Sequence, residues 1–308
     1  MTARVSHPGD IHVSEGNPAP VGPGLPELVT GPLGDDFPVL GPLADIVGQE
    51  LESLIPFRAK LQRGLTQLGG MFVLGGRALK RGVQPPSSLG AVVYQVESLG
   101  ARSVAIGTLT AAFAGLVIAI QFGFFLARFG VQHTVGKVVV LTLFRELAPV
   151  LTALTVGARI GSGIAAELGS MTVTEQVDAV RALGADPIKK LVVPRVYACL
   201  VVMPMLTVLA DVTGFLAGAW VTKFEYDISF AQFFTSALDT VDESDFLSGV
   251  GKSVVFGLII AVVGCYKGLN VEGGTEGVGR ATTQTVAVAS VAVLLADFFL
   301  TKLLLTIT

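Results

Sequence analysis

The stretch "LFRELAPVLTAL", residues 143–154, sets Arg145, Glu146 and Pro149 inside a run that is otherwise apolar. Two more lone acids, Asp211 and Asp297, stand in other apolar runs. On insertion scales a charged side chain at mid-membrane costs on the order of 2.5–3.5 kcal/mol, so such groups face a partner or a wet cavity. Adjacent helical residues point about 100° apart, so Arg145 and Glu146 need separate partners. Asp211 and Asp297 are the acids available to Arg145. Pro149 removes one helical hydrogen bond and is expected to kink its helix. Polar groups beside a kink suit a cavity for an amphiphile's headgroup. They equally suit an internal ion pair that closes a helical bundle.

Other chemistries find less support. "SGVGKSVVFG", residues 248–257, resembles a phosphate-binding loop, but the pattern needs glycine where Phe246 stands. Lys252 in that stretch reads as an interfacial lysine whose stem lies along the helix while its ammonium reaches water. His7, His12 and His133 are scattered, and Cys199 and Cys265 lie in apolar segments. The sequence therefore predicts no catalytic residues, no metal site and no disulfide framework. A membrane-embedded lipid-modifying enzyme would need a nucleophile or metal cluster that is missing here. A proton-coupled transporter would have Glu146, Asp211 and Asp297 to work with.

The elements that must position these groups are membrane spans. Of 308 residues, 51% are apolar and only 15% are charged, against about 25% charged in soluble domains. Net charge is −3, which suggests no nucleic-acid partner. Five apolar runs are long enough to cross a bilayer, which takes about 20 residues: 103–127, 138–158, 196–222, 246–266 and 281–301. The first residues lack the charged-then-apolar order of a signal peptide, so the spans themselves are expected to direct insertion. Residues 1–48 carry eight prolines, eight glycines and six acids, a composition too poor in apolar periodicity to fold alone. The expected organisation is a disordered acidic tail over 1–56 and a membrane domain over 57–308. From Phe57 to Gly82, six basic and no acidic residues accompany apolar residues at helical spacing. That pattern predicts an amphipathic helix lying in an anionic leaflet and ended by Pro85-Pro86. Counting Lys and Arg on alternate loops gives fourteen on the N-terminal side and five on the other, so the N-terminus is expected in the cytoplasm and the C-terminus outside.

Between spans two and three lies "TVTEQVDAVRALGADPIKK", residues 172–190. Thr172 and Glu175 have capping-box spacing, and Gly184 with Pro187 would end the helix they start. A short amphipathic cytoplasmic helix held between two spans could pass force to a soluble partner, or simply link them. Gly157 with Gly161 and Gly214 with Gly218 form G-x-x-x-G pairs suited to close helix packing, within one bundle or at a dimer seam.

The stretches "RELAPVLTALTVGARIGSGIAAELGSM", "TEQVDAVRALGADPIKKLVVPR", "EGGTEGVGRATTQTV" and "LADFFLTKLLL" resemble the MlaE/YrbE permease family of lipid-transporting ABC systems. The similarity runs from about residue 57 to the C-terminus. It implies an all-α integral membrane fold: the interfacial helix, five transmembrane helices and the short cytoplasmic coupling helix. It also implies a homodimeric permease of the bacterial inner membrane that binds no cofactor itself. ATP would be bound by a separate cytoplasmic ABC ATPase, and an MCE-domain lipid-binding protein would be a further partner. By that likeness Glu175, Gln176, Asp178 and Ala179 would dock in the ATPase, with Gly184, Asp186 and Pro187 forming the turn after them. Phospholipid or a similar lipid would pass by Arg145, Glu146, Asp211 and Asp297.

Overall fold

The computed structural model describes residues 64–82 and 89–307. The chain divides into two units, Met1–Gln67 and Leu68–Thr308, and, apart from residues 64–67, the helices below build the second. The expected tail, the start of the in-plane helix before residue 64 and Pro85-Pro86 lie outside the described residues. Among the described residues every regular element is helical. In chain order these are α1 (residues 64–82), α2 (Leu89–Gly100), α3 (Val104–Ala127), α4 (Val135–Thr142), α5 (Ala148–Val173), α6 (Gln176–Ala182), α7 (Val193–Tyr226), α8 (Phe230–Leu238), α9 (Glu243–Leu269) and α10 (Gly274–Ile307). Five helical stretches, with α4 and α5 together making one, are long and apolar enough to cross a bilayer. The protein is a multi-pass membrane protein.

The bundle centres on α5, which packs against α9, α10, α7 and α3. Small residues set the closest approaches. The buried residues of α3 are Gly107, Ala111, Gly115, Ala119 and Gly123, spaced four apart, so they form one ridge. That ridge lies on Gly214 and Gly218 of α7, and a Cβ on Gly115 would overlap the Gly214 backbone. Gly157 and Gly161 of α5 similarly receive Ile260 of α9. Both G-x-x-x-G pairs are thus spent within the chain. Lipid-sized side chains, such as Phe113 and Val117, cover the far side of α3 and are exposed.

α1 buries Met71 and Ala78 in the main core and sets Gly70 and Gly75 against Tyr266 and Val262 of α9. Its Phe72, Val73 and Leu79 remain exposed beside Arg77 and Lys80, as an in-plane helix requires.

Several elements depart from expectation. The second span continues through Arg159 to Val173, because Ile160, Ile164 and Leu168 keep a buried helical stripe where the charge-free window stops. Arg159 instead reaches the α2–α3 elbow, where it donates to the Ser103 hydroxyl at 2.8 Å and to the Arg102 carbonyl. The glycine-rich "EGGTEGVGR" is a turn only at Glu272 and Gly273, where Gly273 has a φ of +89°; from Gly274, with φ +65°, it is already the start of α10. The Thr172–Glu175 capping box does not form. The Thr172 hydroxyl donates to the Leu168 carbonyl at 2.9 Å, and Glu175 takes a left-handed φ of 58° that breaks the chain between α5 and α6. Two helices, α2 and α8, were not anticipated. Ser229 caps α8 by accepting from the Gln232 N–H at 3.2 Å, and Phe233 is buried against Phe215.

Candidate functional site

Helix α4 passes into α5 through a π turn, Leu143–Leu147, closed by the Ala148 N–H donating to the Leu143 carbonyl. The reason is Pro149: it has no N–H for the carbonyl four residues earlier, which is that of Arg145. The freed Arg145 carbonyl accepts a hydrogen bond from Lys252 Nζ at 3.0 Å. A second π turn, Ile188–Val192, precedes Pro194 in the same way. There the Arg195 guanidinium donates to the Leu191 carbonyl at 2.6 Å and pairs with Glu167 at 2.7 Å.

Lys252 is therefore no interfacial lysine. Its side chain is 2% exposed, and its ammonium has three donors. They go to the Arg145 carbonyl, to Glu146 Oε2 at 2.7 Å and to Thr301 Oγ1 at 2.7 Å. Asp297 Oδ1 stands 3.3 Å from the same nitrogen as a second counter-ion. Three helices thus contribute one cluster: Glu146 from the π turn, Lys252 from α9, Asp297 and Thr301 from α10.

Arg145 points elsewhere, as a neighbour in a helical turn must. Its partner is neither Asp211 nor Asp297 but Asp245, at 3.1 Å. Asp245 also accepts the Asp242 N–H at 3.2 Å, fastening the start of α9 to the π turn. Asp211 is not drawn into the cluster. It is 1% exposed within α7, and neither carboxylate oxygen has a hydrogen-bond partner among the described residues.

The cluster opens on a cavity of about 430 Å³ lined by Glu146, Leu294, Asp297, Phe298, Thr301, Lys302 and Leu305. Glu146 is 40% exposed there and Asp297 19%, while Lys252 lies behind them. The wall is thus a polar spot of carboxylates and a hydroxyl set among leucine and phenylalanine. Such a surface can hold the head of an amphiphile at one end and its chains along the other. Sequence reasoning missed Lys252, Asp245 and Thr301. The usable signal was that Lys252 is the lone charge of its apolar run while Glu146 and Asp297 stand in two others, and a lone lysine is the natural counter-ion for such acids.

At the other end of α5, about 39 Å away at 1.5 Å per residue, α6 stands between α5 and α7. Val177 anchors it in the core. Glu175, Gln176, Asp178, Ala179 and Gly184 are exposed, and Asp178 pairs with Arg181 at 2.8 Å. Gly184, with φ +75°, makes the turn after the helix. Asp186 and Pro187 are half-buried. Asp186 turns inward, accepting the Ile188 N–H at 3.0 Å and pairing with Arg81 of α1. Leu183, not singled out by sequence, is 85% exposed on the same surface.

Comparison with known proteins bears on this arrangement. Residues 92–303 match the permease MlaE family, which takes in the π turn, the cluster and α6. The chain belongs to the MlaE permease family. It is 39% identical over 221 residues to a probable ABC transporter permease protein of Rickettsia prowazekii, covering 72% of this chain and 85% of that one. A probable ABC transporter permease protein of a Synechocystis species is 39% identical over 247 residues, 80% of this chain and 94% of that one. The chloroplastic protein trigalactosyldiacylglycerol 1 of Arabidopsis thaliana is 40% identical over 210 residues, 68% of this chain and 60% of that one.

Proposed function

We propose that the protein is the membrane subunit of an ABC transporter that moves phospholipid or a similar lipid across the cell envelope, driven by a separate ATPase. The observation that carries this reading is the cavity in which Glu146, 40% exposed, and Asp297, 19% exposed, interrupt an apolar wall. The name of the chloroplast relative, which contains a glycerolipid, supports a lipid cargo. In this reading the ATPase docks on α6 through Glu175, Gln176, Asp178 and Ala179, with Leu183 as an apolar anchor and Gly184, Asp186 and Pro187 shaping the turn. A second copy of the permease against the exposed face of α10 closes the cavity. The membrane is the bacterial inner membrane, with the N-terminus and α6 in the cytoplasm and the C-terminus outside, where an MCE-domain protein exchanges lipid. ATP stays on the partner chain.

Two variants test the two surfaces. Glu175→Lys with Asp178→Lys reverses charge at exposed positions, so the bundle should melt normally. Copurification of the ATPase should fall at least about tenfold, the effect of losing ~1.4 kcal/mol. Undiminished copurification would remove α6 from the docking role. Glu146→Gln keeps size and hydrogen-bonding reach and leaves Asp297 to balance Lys252. Because Glu146 is 40% exposed, the expected stability loss is only about 1 kcal/mol. Bound lipid recovered by extraction and mass spectrometry should drop severalfold. Full lipid recovery together with a large drop in melting temperature would make Glu146 a purely structural residue.

The buried Asp211, without a hydrogen-bond partner among the described residues, favours one second reading, a proton-coupled transporter. Reconstituted vesicles decide between them. ATP with the ATPase present should drive lipid movement, whereas movement driven by a pH gradient without the ATPase would establish the alternative.

A further inference from the structure

The charges around the cavity are separated in a way that selects among lipid headgroups, provided the cavity is the lipid site proposed above. Lys252 is the cation of the cluster, yet it is 2% exposed and its three donors are taken. It cannot meet a headgroup phosphate. The groups that do face the cavity are two carboxylates, Glu146 and Asp297. With one ammonium between two carboxylates, this end of the wall carries one excess negative charge, which Lys302 balances further along the cavity. It also has spare acceptor capacity: an ionised carboxylate offers about four lone-pair sites, and Glu146 is 40% exposed, whereas Asp297 Oδ1 is buried against Lys252 Nζ at 3.3 Å. Arg145 does not correct the balance, being paired with Asp245 at 3.1 Å. The next cation along the cavity is Lys302 on α10, one residue beyond Thr301.

We infer that this site selects a phospholipid whose headgroup carries a primary ammonium, with that ammonium on Glu146 and Asp297 and the phosphate toward Lys302. A primary ammonium supplies both things the wall lacks, a positive charge and donors for unfilled carboxylate oxygens. A trimethylammonium headgroup brings the charge without donors. A glycerol headgroup brings donors without the charge, and leaves its phosphate beside two carboxylates. The order of preference is therefore ethanolamine over choline, and choline over glycerol. Leu294 and Phe298 lie where acyl chains would run.

The test incorporates the purified full-length protein into nanodiscs of equal parts dioleoyl phosphatidylethanolamine, phosphatidylcholine and phosphatidylglycerol, then re-extracts it and quantifies retained lipid by mass spectrometry. Ethanolamine lipid should exceed glycerol lipid by about tenfold relative to input, equivalent to ~1.4 kcal/mol, with choline lipid between them. Asp297→Asn should bring the three classes near equality, and Glu146→Gln provides the same reading if the Asn variant is poorly folded. Lys302→Gln, at an exposed position, should lower all three together and leave the ratios unchanged. Equal retention by the native protein, or an excess of glycerol lipid, would overturn the inference. So would an unchanged preference in the carboxylate variants. A photoactivatable lipid captured at Phe298 with no headgroup preference leaves the cavity as the lipid site and ends the selectivity. No capture of any lipid class there would end the site reading itself.

Discussion

Lys252→Met is expected to be the most damaging single change in the charged cluster behind the cavity wall, lowering stability by about 3–5 kcal/mol. The replacement nearly preserves the stem's volume and removes the ammonium. Glu146, Asp297, Thr301 and the Arg145 carbonyl then lose their common donor at once. Breaking a buried ion pair strands the remaining charges, which costs more than the pair was worth. For a chain of this size the apparent melting temperature should fall by roughly 10 °C, measured in detergent or nanodiscs. The companion variant separates charge from packing. Lys252→Met combined with Glu146→Gln and Asp297→Asn removes all three charges, and neutralised clusters often recover most of the loss. The triple variant should therefore melt above the single one, a non-additivity read directly from the cycle. A Lys252→Met protein that melts like the native one would mean the cluster contributes nothing to the bundle.

Gly115→Leu should prevent α3 from seating on α7. The Cβ it adds meets backbone atoms of Gly214, which have no rotamer to yield. Overpacking in a close-packed interior typically costs 1–3 kcal/mol, and a collision with rigid backbone belongs at or above the top of that range. The expected result is a dispersed size-exclusion profile and loss of a cooperative melting transition. Gly163→Ala is the control on α5, where nothing lies within 4 Å of the new methyl. Replacing a helix-interior glycine with alanine there should be neutral or stabilise by about 0.5–1 kcal/mol. Equal behaviour of the two variants would remove close backbone approach as the organising contact of the bundle.

Lys252 and Arg145 mark where sequence reasoning ran short. Hydropathy placed the lysine near the start of an apolar span and offered water as its partner. Four acceptors drawn from the π turn and α10 are instead grouped around it. Likewise, two acids in other spans were the natural candidates for Arg145, while its actual partner is Asp245 in the first turn of α9.

What the sequence determined alone was everything carried by one segment at a time. Uninterrupted apolar length specified the five spans, because an unsatisfied backbone in hydrocarbon leaves only the helix available. The four-residue spacing of Gly157 with Gly161 and of Gly214 with Gly218 encoded close helix packing, which the structure spends within the chain. Adjacency of Arg145 and Glu146 required two different partners, and the structure supplies two. Pro149 ensured a freed carbonyl at Arg145. Tertiary structure decided what occupies that carbonyl, which acid meets which base, and that Asp211 stays apart from the others. Those outcomes depend on the rotation and height of each helix against its neighbours. Side-chain packing over the whole bundle sets them, and no single segment encodes that.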